Sequence, residues 1–229
     1  MTLIGNTSLS TRSQYGSIAN VYDCLSHLYS FGAIRRTKIR QLKRLRSAER
    51  LLVAGAGTGV EAAMALTRGV RTTVVEESKP MMDLARDRLS KWDKPELLDL
   101  HHKNIMDFEA PDAFDAVSAN YFLNVFGPEE VPLILNHLVR QMRPRGVLAV
   151  ADLAPSTGGG IGGLFQECYY RLALEVFVRL TGNARHRLYD YGVMVESYHL
   201  PLFLLGVEDI RLFPGGPAWF RNWYFEKRL

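Results

Sequence analysis

Only two cysteines occur in the 229 residues, Cys24 and Cys168, and they form neither a CxxC pair nor any Cys/His spacing. A disulfide framework and a zinc site are therefore not predicted, and no metal is assigned. Long apolar runs are also missing. The longest candidates, LALEVFVRL and LPLFLLGV, are interrupted by charge or proline and fall short of the roughly 20 residues that cross a bilayer. The opening MTLIGNTSLSTRSQYG has no basic stretch leading into an apolar one, which argues against secretion. With so little cysteine, the expectation is a cytoplasmic protein whose residues 1–16 are mobile. Acidic residues are absent from 35–46, where Arg35, Arg36, Lys38, Arg40, Lys43, Arg44 and Arg46 are concentrated although the whole chain carries only +4. Such a run reads as a solvated helix face or as a contact for anionic lipid headgroups or nucleic acid, the lipid version giving peripheral contact with the inner face of a membrane.

What the chain does have is enough apolar residue, 47%, to bury one substantial core. A single domain over 17–229 is expected. Ile18, Val21, Tyr22, Leu25, Leu28 and Tyr29 recur at helical spacing, and Ile39, Leu42 and Leu45 form a narrow apolar stripe beneath the basic run, so 17–48 reads as a pair of cap helices. The period then changes. RLLVAGAG, RTTVVEES, LLDLHHKN, FDAVSANYFL and GVLAVADLA read as strands, and helical segments separate most of them. Alternation of this kind predicts a doubly wound, mainly parallel α/β sheet with right-handed crossovers. It breaks at PSTGGGIGG, so 155–197 is read as a helical lid insertion, and VEDIRLF with WFRNWYFEKRL as two antiparallel strands closing the sheet edge.

LLVAGAGTGVEAA joins the first strand to a helix through three alternating glycines. A ligand that approaches such a turn meets backbone N–H groups and no side chain. A P-loop would need Gly-Lys-Ser/Thr, which is absent, and a dinucleotide fingerprint would need a small residue where Val60 stands. The form present, Gly55, Gly57 and Gly59, resembles the first motif of class I methyltransferases that use S-adenosyl-L-methionine. Further landmarks follow in order: Glu76 at the end of the second strand, EESKPMM with Glu76, Ser78 and Met81 in register, Asn104 and Ile105 after the third strand, FDAVSAN, and MRPRGVLAV. The resemblance implies a Rossmann-like fold and a cofactor site made by Gly55, Ala56, Gly57, Thr58, Gly59, Glu76, Glu77, Met81, Asn104, Ile105, Asn120 and Tyr22. Glu76 would take the ribose hydroxyls, Asn104 and Ile105 the adenine, and the glycines would make room for the ribose and methionine part. The acid that usually precedes the first glycine is Val53 here, so the cofactor's amino group falls to backbone carbonyls or Tyr22.

The flank YGSIANVYDCLSHLYSFGAIRR is similar to the opening of the ubiquinone/menaquinone C-methyltransferases, through Tyr15, Ile18, Ala19, Tyr22, Asp23, Leu25, Ser30, Gly32, Arg35 and Arg36. Ser26 and Thr37 depart from that pattern. The resemblance implies methyl transfer to a lipophilic small molecule, with C-methylation of a quinone precursor as the favoured version. Phospholipid or amine N-methylation is an alternative, and a non-catalytic scaffold with this fold is another. The D/N-P-P-Y/F motif of amino-methylating nucleic-acid enzymes is missing, so no nucleic acid is expected. Catalytic candidates are His186, read as the group that titrates near neutrality, Tyr22 and Tyr189, with Asn120, Tyr121 and Tyr191 at the same mouth. Trp219, Phe220 and Trp223 are read either as packing at the core edge or as a wall toward lipid.

Overall fold

The computed structural model describes residues 23, 26–28, 30–43, 49–92, 94–155, 163, 164, 166–172, 175, 186–212 and 218–228. Its elements are α1 (Ala33–Leu42), β1 (Arg50–Ala54), α2 (Val60–Leu66), β2 (Arg71–Glu76), α3 (Lys79–Leu89), β3 (Leu98–His102), β4 (Phe114–Asn120), α4 (Val131–Gln141), β5 (Met142–Leu153), α5 (Tyr191–Ser197), β6 (Leu202–Arg211) and β7 (Ala218–Lys227). The strands form one seven-stranded sheet in the order β3-β2-β1-β4-β5-β7-β6. β1 to β5 run parallel, and β7 lies antiparallel to both β5 and β6. This is the doubly wound α/β sheet that the alternation predicts. Its last hairpin starts earlier than expected, because β6 takes in LFLLG ahead of the VEDIR segment.

Successive side chains of β1 serve opposite faces of the sheet. Leu52 and Ala54 join a core with Val117, Ile134, Leu138 and Trp223, while Leu51 and Val53 join a second with Leu66, Val74, Ala85 and Leu89. Two-sided burial of this kind requires the near-continuous apolar strands seen in the sequence. The turn that closes α2 passes through Gly69, whose φ of 73° lets the Val70 N–H turn back onto the Ala65 carbonyl. α3 has proline in its first turn, where a missing N–H costs nothing.

α1 departs from its expected stripe. It buries Ala33, Thr37, Gln41 and Leu42, so a largely polar row four residues apart faces the sheet. Partners on the sheet make this possible: Thr37 Oγ1 lies 2.9 Å from the Tyr121 hydroxyl, and Gln41 reaches Asn120 and Asn222. The basic run is likewise only partly a free face. Lys38 sits 3.7 Å from the buried Glu61, and Arg40 pairs with Glu208 at 2.9 Å. Arg44, Leu45 and Arg46 lie outside the described residues, as does much of the 17–48 and 155–197 segments read as cap and lid. Trp219, Phe220 and Trp223 are buried, which settles them as core packing and overturns the reading as a wall toward lipid. Among the described residues, no helix is long and apolar enough to cross a membrane.

Candidate cofactor and acceptor site

The strand order reverses between β1 and β4, so their carboxyl ends open a crevice between crossovers that run to opposite sides. The turn after β1 forms one wall. Gly55, Gly57 and Gly59 have φ of 66°, 53° and 75°, a left-handed region that excludes most side chains. Glu76, at the tip of β2, holds this turn: Oε2 accepts the Gly57 N–H at 2.8 Å and Oε1 the Ser78 N–H at 2.8 Å. A carboxylate has about four acceptor positions, so each oxygen keeps capacity for a ligand hydroxyl. Burial pushes the Glu76 carboxyl above its ordinary range, and the N–H groups of Ser78 and Gly57 oppose that rise.

The three glycines serve different purposes, which corrects the expectation that all make room for a ligand. A Cβ on Gly55 would overlap the Phe122 ring, and one on Gly59 would come 3.0 Å from the Ala85 Cβ on α3. A Cβ on Gly57 would meet nothing within 4 Å. Close packing of the chain on itself accounts for the first and third. Only Gly57 fronts open space, beside the Glu76 carboxylate.

The other expected cofactor residues are placed as follows. Ala56 belongs to the α2 side of the core, and the Thr58 hydroxyl donates to Asp23 Oδ1 at 2.7 Å. The Glu77 carbonyl accepts from His102 Nε2 at 3.1 Å. Met81 is buried at the start of α3. Asn104 Oδ1 caps the short turn at Ile105–Asp107 by accepting the Met106 N–H, and Ile105 is buried in the core. Asn120 is fully engaged within the chain: Nδ2 donates to Gln41 Oε1 and Ser118 Oγ, and Oδ1 accepts the Ala151 N–H. Ser118 in turn donates to Glu61, so Asn120 belongs to the network that docks α1 on the sheet. Tyr22 lies outside the described residues.

The opposite wall follows β4. Tyr121 adopts φ 54°, a costly conformation for a residue with a side chain, and the chain then carries Phe122 onto Gly55. Two residues later Asn124 organises a buried polar chain. Its Oδ1 lies 3.0 Å from His186 Nδ1, and its Nδ2 donates to Asp152 Oδ1 at 2.7 Å. Asp152 also accepts the Leu153 N–H and the Tyr191 hydroxyl. Because the amide oxygen of Asn124 must accept, His186 carries its proton on Nδ1. The Arg187 N–H donates to the Asn124 carbonyl at 2.7 Å, which ties this segment across the crevice wall.

Burial reassigns the titrations. It pushes His186 from 6.5 down to about 4, so the imidazole is neutral at neutral pH and does not titrate there as expected. Desolvation of the fully buried Asp152 raises it from 3.8 to about 7, against the hydrogen bonds from Tyr191, Leu153 and Asn124. Asp152 is thus the group near neutrality that the sequence reading missed. The available signal was an acid inside the apolar run VLAVADLA. The Tyr189 hydroxyl donates to the Phe126 carbonyl at 2.7 Å, and Tyr191 is buried on Asp152.

Comparison with known proteins agrees with this geometry. Residues 52–150 match the family described as a methyltransferase domain. A malonyl-[acyl-carrier protein] O-methyltransferase of Serratia marcescens is 31% identical over 135 residues, 58% of this chain and 49% of that protein. A demethylmenaquinone methyltransferase of Clavibacter sepedonicus is 25% identical over 146 residues, 62% of this chain and 57% of that protein. The chain spans about half the length of these curated relatives. Among solved structures, the Burkholderia thailandensis 1,6-didemethyltoxoflavin-N1-methyltransferase, which holds 1,6-didemethyltoxoflavin and S-adenosylhomocysteine, superposes with a TM-score of 0.64 at 16% identity. That match covers 93% of this chain and 89% of the other and attests the fold. Residues 52–150 are therefore similar to a methyltransferase domain within a chain that has the Rossmann-like methyltransferase fold, and the cofactor of that domain is S-adenosyl-L-methionine.

Proposed function

We propose that the chain transfers a methyl group from S-adenosyl-L-methionine to a lipophilic small molecule, with C-methylation of a quinone precursor at a membrane surface as the favoured version. The cofactor's site is supported above all by the pairing of Glu76 with the open turn at Gly57, where a carboxylate with spare acceptor capacity flanks backbone that bears no side chain. The residues present fit the group. Glu76 would hold the ribose hydroxyls, Met81 and Ile105 would back the adenine, and Asn104 would stand at its edge. When bound, the cofactor supplies a sulfonium methyl that is open to in-line displacement. The chain's own task is to align the acceptor and keep out water. Phe122 and Phe126, in edge contact at 5.1 Å, make the β4 wall apolar. His186 is held neutral against Asn124 behind the same wall, and Tyr189 braces that wall through Phe126.

The lipophilic character of the acceptor rests on the cap and lid segments. Leu28 and Phe31 are 70% and 61% exposed, and Leu164 and Leu172 are 67% and 68% exposed. Leu28 and Phe31 precede the exposed Arg35 and Arg36, a combination that suits an anionic bilayer surface. The likeness to a demethylmenaquinone methyltransferase supports the same reading. The test is a labelled-methyl assay on a lipid extract from cells that lack the protein. Label is expected in an apolar ring-methylated product. A protein that binds S-adenosylhomocysteine yet labels only water-soluble compounds would refute the lipophilic acceptor.

A further inference from the structure

The turn after β1 is built on three glycines at positive φ, whose backbone freedom leaves its shape to contacts from outside. Glu76 supplies one from the sheet side. A second carboxylate approaches from the opposite end of the sequence. Asp23 Oδ1 accepts the Thr58 hydroxyl at 2.7 Å, and Asp23 Oδ2 accepts Arg88 Nη2 at 2.5 Å. One carboxylate thereby joins the segment before α1, the cofactor turn and the end of α3.

We infer that Asp23 is a positioning residue for the cofactor: by holding Thr58 it fixes the turn in its binding shape, and it couples its own contacts with Thr58 and Arg88 to cofactor binding. Thr58 is 6% exposed, so loss of its acceptor would leave a buried hydroxyl to find another partner by moving the turn. Gly57, whose open face makes the cradle, is the residue before it and would move as well. Arg88 strengthens the latch from the far side. It lines an open groove of about 490 Å³ with Arg35 and Lys91, so without Asp23 it would add an uncompensated charge to a group of like sign. Neither partner of Asp23 is local, since Thr58 is 35 and Arg88 is 65 positions away. The contact can therefore form only when Asp23 is packed between the turn and the end of α3. Linkage then works in both directions: Asp23 in place favours the binding shape of the turn, and a bound cofactor favours Asp23 in place.

The experiment is calorimetry of S-adenosylhomocysteine with the full chain, as wild type, Asp23→Ala, Thr58→Val, the double variant and Thr58→Ser. A hydrogen bond to a charged group supports about a tenfold loss of affinity for Asp23→Ala. Thr58→Ser, which keeps the hydroxyl, is expected to bind nearly as wild type. In the Thr58→Val background, Asp23→Ala should weaken binding by less than about twofold if Asp23 acts through Thr58. Hydrogen exchange at 26–32 should slow when S-adenosylhomocysteine binds wild type and should not respond in Asp23→Ala. Should Asp23→Ala melt too early to be titrated, Asp23→Asn keeps an oxygen for Thr58, loses the Arg88 ion pair and should fall between the two. Unchanged affinity in Asp23→Ala, or losses that multiply in the double variant, would overturn the inference. Failure of wild type to bind would instead count against the cofactor site itself.

Discussion

His186 and Asp152 sit at the two ends of one amide and titrate out of their ordinary order, which gives a sharp expectation for stability against pH. His186 is pushed from 6.5 down to about 4, so below 6.5 the unfolded chain takes a proton that the folded chain refuses, and stability is lost on acidification from 6.5 to 4. Asp152 is raised from 3.8 to about 7, so the folded chain keeps a proton that the unfolded chain releases, and stability is lost as pH rises across that interval. Between pH 4 and 6.5 each state therefore holds one proton, on Asp152 when folded and on His186 when unfolded, and the two slopes cancel. Removal of either group exposes the other. At about 1.4 kcal/mol for each pH unit spanned, Asp152→Asn should gain on the order of 3 kcal/mol relative to wild type from pH 4 to 6.5. His186→Gln should lose roughly 3 to 4 kcal/mol relative to wild type from pH 4 to 7. In a chain of this size those figures correspond to about 10 °C in Tm. Melts at four pH values between 4 and 7.5, plotted as variant minus wild type, cancel the contributions of Glu76 and the surface carboxylates. Two difference curves that are both flat would refute the assignment of a protonated Asp152 facing a neutral His186.

Gly55→Ala combines left-handed strain of about 1–2 kcal/mol with overlap on the Phe122 ring, so a loss of roughly 2–5 kcal/mol is expected in thermal melts, and Phe122→Ala in the same chain should recover part of it. Gly57→Ala has open space and should cost only the strain, yet should weaken S-adenosylhomocysteine more than it lowers Tm; equal melting losses at Gly55 and Gly57 would contradict the distinct roles of the two glycines. Glu76→Gln should reduce S-adenosylhomocysteine affinity by about tenfold or more, and wild-type affinity should decline on acidification at a pH above the ordinary 4.5 because burial has raised this carboxyl, both read by calorimetry. Lys38→Met removes the cation beside buried Glu61 and should cost about 3 kcal/mol, whereas Arg36→Ser on the exposed side should stay within about 0.5 kcal/mol, as urea midpoints would show.

The parts of this molecule that were legible in its sequence are those whose signal is local. β1, β2, β4 and the VLAVADL part of β5 are short runs buried largely on both faces, and their alternation with helical segments fixes a parallel sheet without knowledge of any contact. The glycine spacing marks a turn that is open at Gly57, and Glu76 could be named beside it because it ends the next strand. What could not be read is which surface each residue meets. Gly55 and Gly59 look the same as Gly57 in the sequence, yet one is shaped by Phe122 and another by Ala85.

The same limit explains the polar errors. Thr37 and Gln41 interrupt the apolar pattern of α1 and so appear solvent-facing, but their partners at Tyr121, Asn120 and Asn222 lie between 79 and 181 positions away, where no periodicity reaches. His186 reads as the group that titrates near neutrality, and Asp152 as one residue within the strand GVLAVADLA. Asn124, placed by the turn after β4, bridges them and sets the tautomer of one against the proton of the other. The buried polar chain thus depends on Asn124 in the turn after β4 and on His186 and Tyr191, from stretches that carry little pattern, while the strands that support it carry nearly all of it. An acid embedded in an apolar strand, as Asp152 is, is the one sequence signal that points to such a buried network, because a carboxylate is kept there only where donors converge on it.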